Sequence, residues 1–511
     1  MRDADGAIVT TRAAAAPHGP CTANLPRLFA VVLTAAVLLL AGPLFGVPQA
    51  AAEQRTVPYP GSSNLLTLQL TQLTPRMVTG DGPASVTVLG TLRNIGDRPV
   101  GELEVRLQRG DPLRTEGNVR DVLAGSGRAD VVTPAFTPLP GTLVPGGELP
   151  LQLTVPLLGP PTESLALTRP GVYEVLVNVN GVPSDGGRAR LAAVRLLLPV
   201  LSVPGTDPRP ASPDPAGSVA ADLTVLYPVV DAPRRLPTVP GEQTLLTDDD
   251  LARSFAPDGR LGALVAAFGE RAPPGSAVRA ATCLAVDPDL VATAAAMRQG
   301  YLVRTPTGTV PGTGAGAAGT WLDSLSAATR DGCVIALPFA DADLVALARG
   351  NLGELGERAV SDGFATTAEI LGTAVLDDTT WPADGVLDEA ALGDVAAGGA
   401  QAVVLSPEAL GDGVGVQSAR GGVVPVAAAE TSPMSAVLAD PLLSRAASVA
   451  IASPTSPVDA PAARTAATSG TTRAAASAPL ATQDLLAALV FRAQRGAPTG
   501  AGPLVLAPPH R

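Results

Sequence analysis

From residue 62 to 203 apolar and polar positions alternate in short runs: "NLLTLQL", "ASVTVLGTLRN", "GELEVRLQ", "ELPLQLTVPL", "GVYEVLVNVNG" and "ARLAAVRLLLPV". Gly, Pro and Asp clusters separate them, so the pattern predicts strands with one buried face, joined by turns and packed as an antiparallel sandwich. After residue 222 the runs become apolar throughout: "LTVLY", "AATCLAV", "CVIAL", "GTAVL", "QAVVL" and "PLVLA". A strand buried on both faces reads this way, as in a parallel sheet. Between them, 261–268, 290–297, 321–329, 344–349 and 483–492 carry helical spacing. Strand and helix in alternation predict βαβ units, wound as a barrel or an open sheet of about seven parallel strands, the seventh at 422–426.

Composition breaks divide the chain further. Residues 204–221 are rich in Pro and small polar residues and predict a semi-rigid linker. Residues 453–482 hold Ala, Ser, Thr and Pro with few large apolar groups, too little hydrophobic surface to fold alone, and predict a mobile insertion in the 222–511 domain. At the start, Arg27 precedes "LFAVVLTAAVLLLAG", and Ala50-Ala51-Ala52 offers a cleavage site, so residues 1–52 predict a signal peptide. The alternative is an uncleaved anchor, since 28–47 is nearly long enough to span a bilayer. Either way the bulk of the chain is expected to be exported.

The chain has 511 residues, 46% of them hydrophobic, ample for buried cores. Every basic residue is Arg, in keeping with a GC-rich genome, and the formal net charge is −12. That charge argues against nucleic acid or an anionic lipid surface as partner.

Two segments share a register. Cys283 opens "CLAVDPDL" and Cys333 opens "CVIALPFADADL", each with a proline five residues on. On neighbouring parallel strands the two sulfurs would sit at equal height, about 4.8 Å apart strand to strand, within disulfide reach. In an oxidising compartment a Cys283–Cys333 bond is the expectation, and two buried thiols the alternative.

The same offset puts Asp287 and Asp341 after strands and before helices. Such acids accept orphan N–H groups and cap helices. They also lie at strand carboxyl ends, where α/β folds bind ligands. Asp231, Asp287, Asp341, Asp377 and Asp378 would ring that mouth, and a pair of them could serve glycoside hydrolysis as acid and nucleophile. Trp381 and Asp384, in "VLDDTTWPADGVLDEAAL", stand in the same zone as ligand-binding candidates, or as rim packing beside a helix cap.

Other chemistry has little material. The histidines are His18, in the signal region, and His510, at the far end, so histidine zinc sites and Ser-His-Asp triads are not expected within the domain. No P-loop appears. Neither a metal nor a cofactor is expected, and any hydrolase would be carboxylate-based.

"TLRNIGDRPVGELEVRL", with a strand ending in Asn-x-Gly before one of alternating Val and Leu, resembles exported immunoglobulin-like modules. Together with "LTVLYPVVDAPRRLP", "CLAVDPDLV", "ALPFADADLVAL" and "WPADGVLD", the order of segments resembles an uncharacterised family of exported actinobacterial cell-envelope proteins. Its genes lie near one for a lipid II flippase. The resemblance implies an immunoglobulin-like sandwich followed by an incomplete barrel similar to those of polysaccharide deacetylases and glycosidases, with no transferable active site because the deacetylase histidines are missing. It also implies a longer relative with a C-terminal membrane helix, of which this chain would be a truncated version. The resulting expectation is an exported envelope protein that binds or scaffolds cell-wall polysaccharide or envelope proteins and touches membrane only through its signal segment or the missing helix. The competing expectation is a carboxylate-dependent glycosidase.

Overall fold

The computed structural model describes residues 65–205, 222–239, 241–376, 378–409, 422–428, 432–451, 478–495 and 504–510, all within one compact unit, Gly61–Arg511. The signal segment, nearly all of the linker, Asp377 and most of 453–482 lie outside the described residues.

In the N-terminal half each alternating run forms a strand. They are β1 (Leu66–Thr74), β2 (Ser85–Asn94), β3 (Val100–Pro112), then helix α1 (Glu116–Leu123), the short β4 (Thr137–Pro138), β5 (Glu148–Pro156), β6 (Gly171–Pro183) and β7 (Ala189–Val200). One antiparallel sheet runs β1-β2-β5 and the other β4-β3-β6-β7. Alternate side chains of both, among them Leu68, Val88, Leu153, Val105, Val177 and Leu196, meet in a single core. The Asn-x-Gly turn has a local cause. Asn94 is fully buried, donates to the carbonyls of Arg98 and Leu143 at 2.8 Å, and accepts from Gly96 N–H at 2.9 Å. Its side chain replaces the pairing that the turning backbone gives up.

The second half opens with β8 (Leu223–Val229), β9 (Arg235–Leu236), β10 (Leu245–Leu246), α2 (Asp250–Ser254), α3 (Arg260–Arg271) and α4 (Ala277–Ala280). It continues with β11 (Thr282–Val286), α5 (Pro288–Arg298), β12 (Leu302–Thr305), β13 (Gly308–Pro311), α6 (Ala315–Thr329) and β14 (Cys333–Ala336). Then come α7 (Leu344–Arg349), α8 (Gly353–Leu371), β15 (Thr379–Thr380), α9 (Glu389–Ala397), β16 (Ala402–Leu405), β17 (Gly422–Ala428), β18 (Ser432–Leu438), α10 (Pro441–Ile451), α11 (Ala478–Arg495) and β19 (Leu504–Leu506).

Strands β14-β11-β8-β19 form a parallel sheet, as the apolar runs predict. β15-β16-β18 form a second parallel set, with β17 antiparallel on its edge. Hydrogen bonds link the two: Leu376 N–H to Val334 O at 2.9 Å and Asp440 N–H to Val505 O at 2.7 Å, and the Thr380 hydroxyl to Ala336 O at 3.1 Å. One cluster gathers Leu226, Ala285, Ile335, Trp381, Val404, Val437 and Val505, a residue from or next to each of the parallel strands. Helices α3, α5 and α6 cover the outer face of the first sheet, and α8 and α9 that of the second.

Two expectations are corrected, and one sheet is new. The run at 372–376 is no strand, because Gly372 takes φ 62° and ends α8; the strand there is β15. The run at 422–426 is a strand but pairs antiparallel, and the parallel neighbour of β16 on that side is β18, whose apolar pattern Pro433 and Ser435 interrupt. A four-stranded sheet β13-β12-β10-β9 went unforeseen, its members being two to four residues long.

Candidate functional site

Equal height along the chain became equal height in space. Cys283 pairs with Cys333 in the parallel register, and the two form a disulfide with Cα atoms 4.5 Å apart. The bond lies at the start of both strands, so the acids at their far ends share a level too.

Asp287, one residue beyond β11, is 1% exposed. Its Oδ1 accepts from Asp289 N–H at 2.9 Å, capping α5, and from Ala340 N–H at 3.0 Å in the loop after β14. Oδ2 has no hydrogen-bond partner among the described residues. Burial, then the neighbouring charges of Asp289 and Asp341, push its carboxyl up to about 8. At neutral pH the side chain is therefore a buried neutral acid. Asp289 is also buried and shifted upward by desolvation, with Arg235 opposing.

The loop that Asp287 holds is strained. Ala340 and Asp341 both adopt positive φ, 62° and 49°, a conformation that costs a non-glycine residue about 1–3 kcal/mol. Among the bonds that hold it are Asp287 to Ala340, and Asp341 Oδ1 to Nδ1 of His510 at 2.6 Å. The His510 side chain is 4% and that of Asp341 6% exposed, and the imidazole meets the Trp381 ring edge-on, centroids 4.1 Å apart.

His510 was expected to lie at the far end of the chain, away from any site; the structure brings it to Asp341 and Trp381. Nothing in the local sequence "PLVLAPPHR" marks His510. β19 aims the tail across the strand ends, and Pro508 and Pro509 hold it extended, so the histidine arrives beside a residue far away in the chain.

The other anticipated acids scatter. Asp378 is exposed and precedes β15, and its carbonyl accepts from Gln401 and Ala402 N–H groups. It thus stands at the opposite end of the strands from Asp287, because the strand begins after it. Asp377 lies outside the described residues. Asp231 does follow β8 but is tied to Arg234 and Arg260, at 3.3 and 2.7 Å. Among the described residues no three or more His, Cys, Asp or Glu are grouped to hold a metal ion.

Beside the buried cluster an open cleft of about 490 Å³ runs over the carboxyl ends of β15, β16, β18 and β19. Trp381 and Asp384 line it, with Ser406 and Glu408 after β16, Ser444 and Arg445 on α10, the tail residues 507–509, and Arg120 from α1. Trp381 itself is only 3% exposed, so its ring is wall rather than platform. Asp384 is exposed at φ 56°. Its neighbour must be glycine: a Cβ on Gly385 would come within 2.7 Å of Ser406 N, whose N–H donates to Gly385 O. Trp381 and Asp384 were among the sequence candidates; Glu408, Arg445 and Arg120, which carry no local signature, were not.

A model of a family of unknown function, DUF6049, matches residues 24–497. No curated protein matches. Among solved structures, an alkylpurine DNA glycosylase of Pseudomonas fluorescens is 18% identical over 26% of this chain and 30% of its own, TM-score 0.17. A β-glucosidase of Kluyveromyces marxianus is 16% identical over 26% of this chain and 14% of its own, TM-score 0.16. A β-glucuronidase of Bacteroides uniformis is 9% identical over 67% of this chain and 36% of its own, TM-score 0.18. The chain spans less than a third of the glycosylase, and likenesses this slight fix neither fold nor chemistry.

Proposed function

The chain belongs to this family of unknown function, DUF6049, and from that premise we propose an exported cell-envelope protein with a non-catalytic binding or scaffolding role linked to cell-wall assembly. Its first half is an immunoglobulin-like sandwich and its second an incomplete (β/α) barrel whose carboxyl-end cleft takes a cell-wall component. The single core between the two antiparallel sheets supports the first part. So does Tyr173, whose hydroxyl returns to Arg169 O four residues upstream at 2.9 Å, as at the tyrosine corner of such sandwiches. The cluster drawing on seven parallel strands supports the second. Export is supported by the Cys283–Cys333 bond, of a kind that persists in oxidising compartments. No described helix is long and apolar enough to cross a membrane. The link to the cell wall rests on the resemblance of the sequence.

One observation carries the non-catalytic reading: the acids that follow the strands are engaged as helix caps or bonded to His510, and Asp287 and the Asp341 side chain are buried besides. Asp287 caps α5, Asp343 caps α7, Asp388 caps α9, and Asp341 is bound to His510. A glycosidase needs two carboxyl groups facing an open cleft, about 5–5.5 or 6.5–9.5 Å apart. Here the acids at the cleft, Asp384 and Glu408, are both exposed, on the loops after β15 and β16. The test is to mix purified protein with cell-wall sacculi: it should co-sediment and release no soluble sugar. Hydrolysis abolished by Asp287→Asn or Asp341→Asn would instead establish the glycosidase.

A further inference from the structure

The cleft has walls of opposite charge. Asp384 and Glu408 sit on the loops after β15 and β16, strands paired side by side. Arg120 and Arg445 sit on α1 and α10, helices in contact with one another. The four groups do not neutralise each other. Among the described residues Asp384, Glu408 and Arg445 have no ion-pair partner, and Arg120 reaches only Glu116, at 3.7 Å and 48% exposed. Glu116 is meanwhile bonded more closely by Arg492, at 2.9 Å.

Unpaired exposed charges are ordinary on a surface. Here they are sorted by sign across a concavity of about 490 Å³, a volume within the range of small-ligand sites. Among the described residues that line it, none offers an aromatic face for a sugar ring to stack on, because Trp381 is buried and edged by His510. The walls are held. Gly385 O and Ser406 N–H bond the acidic loops together, and Ala507 N–H, bonded to the Ser444 hydroxyl at 3.3 Å, ties the tail to the basic helix.

We propose that this cleft binds a zwitterionic short peptide, its ammonium toward Asp384 and Glu408 and its carboxylate toward Arg445 and Arg120. The proposal rests on the binding reading above and narrows it from a cell-wall component to that component's peptide rather than its glycan. Guanidinium and carboxylate suit each other through paired charge-assisted hydrogen bonds. A ligand bearing one sign of charge would face repulsion from one wall.

The probes are trialanine with both termini free, N-acetyl-trialanine, trialanine amide and chitotetraose, titrated into the whole protein by calorimetry or followed by chemical-shift changes. Free trialanine should bind, and each cap should weaken it about tenfold, the scale of one hydrogen bond to a charged group. Arg445→Gln should weaken free trialanine and erase the penalty for the C-terminal amide while keeping that for N-acetylation. Glu408→Gln should do the reverse. Both residues are exposed, so neither change threatens folding, and unchanged melting of the variants verifies that. Equal binding of capped and free peptides, or binding of chitotetraose alone, overturns the proposal. Retention on sacculi separates the two readings: wild type that sediments with sacculi but ignores trialanine sinks the peptide and leaves wall binding standing.

Discussion

The side chain with the most unusual environment is Asp287. Unfolded, its carboxyl ionises near pH 4; folded, it keeps its proton up to about pH 8. Between those values the folded state binds more protons than the unfolded one, so this residue makes stability fall as pH rises through the window and level off above it. Asp287→Asn keeps an oxygen for the Asp289 and Ala340 N–H groups and removes the titration. Thermal melts from pH 5 to 8 should therefore slope less in the variant, by up to about 1.4 kcal/mol per pH unit. Equal slopes would refute the buried neutral acid. The disulfide gives a second residue-scale expectation. It closes a 50-residue separation, for which chain entropy suggests about 4 kcal/mol. The Cys283→Ser, Cys333→Ser double variant should lose stability on that order in chemical denaturation, and wild type should gain two hydrogens by intact mass on reduction. The disulfide and the capping role of Asp287 were legible before any fold was known, because a matched offset between two apolar runs implies matched height if the strands are parallel neighbours; the burial that keeps Asp287 protonated was not.

Among elements, those with a full hydrophobic stripe were readable and those bent to fit a neighbour were not. Helices α3, α5, α6, α7 and α11 each contain the segment whose spacing predicts them. Helix α8 escaped because Gly353, Gly356 and Gly363 dilute its propensity. Its buried positions Gly356, Ala359, Val360, Gly363, Thr367 and Leu371 nonetheless keep helical spacing. The glycine at 363 is required by contact: a Cβ there would stand 3.0 Å from Leu337 O. Helix α11 also joins elements distant in the chain. Arg492 pairs with Asp440 at 2.8 Å and with Glu116 at 2.9 Å, and Asp440, fully buried, caps α10 through Leu442 and Leu443 N–H. Arg492→Ala would leave that carboxylate buried without its cation, at a cost of about 3–5 kcal/mol. An Arg492→Leu, Asp440→Leu double variant should recover part of the loss in the same melt. If the single change is as mild as the double, the pair is not what holds α10 to α11.

At the scale of the whole molecule the two halves share apolar surface. Val119, Val122 and Leu123 of α1 and Leu197 of β7 cluster with Leu442 and Leu443 of α10 and Phe491 of α11. Gln483 donates to Arg76 O at 2.7 Å and Leu197 O at 3.0 Å. Heating should thus give one calorimetric transition in which both halves lose structure together; two separated peaks would contradict it. The sequence alone determined the alternating strands, the change to parallel-sheet runs, the crosslink and the capping acids, since each is set by spacing along a few neighbouring residues. Only tertiary structure decided that His510 would reach Asp341 and Trp381, that Asp378 would fall at the wrong end of its strand, and that Arg120 and Glu408 would line one cleft. Those contacts join residues tens to hundreds of positions apart, and their geometry depends on where whole elements stop and how they pack, which no local pattern of apolar and polar residues encodes.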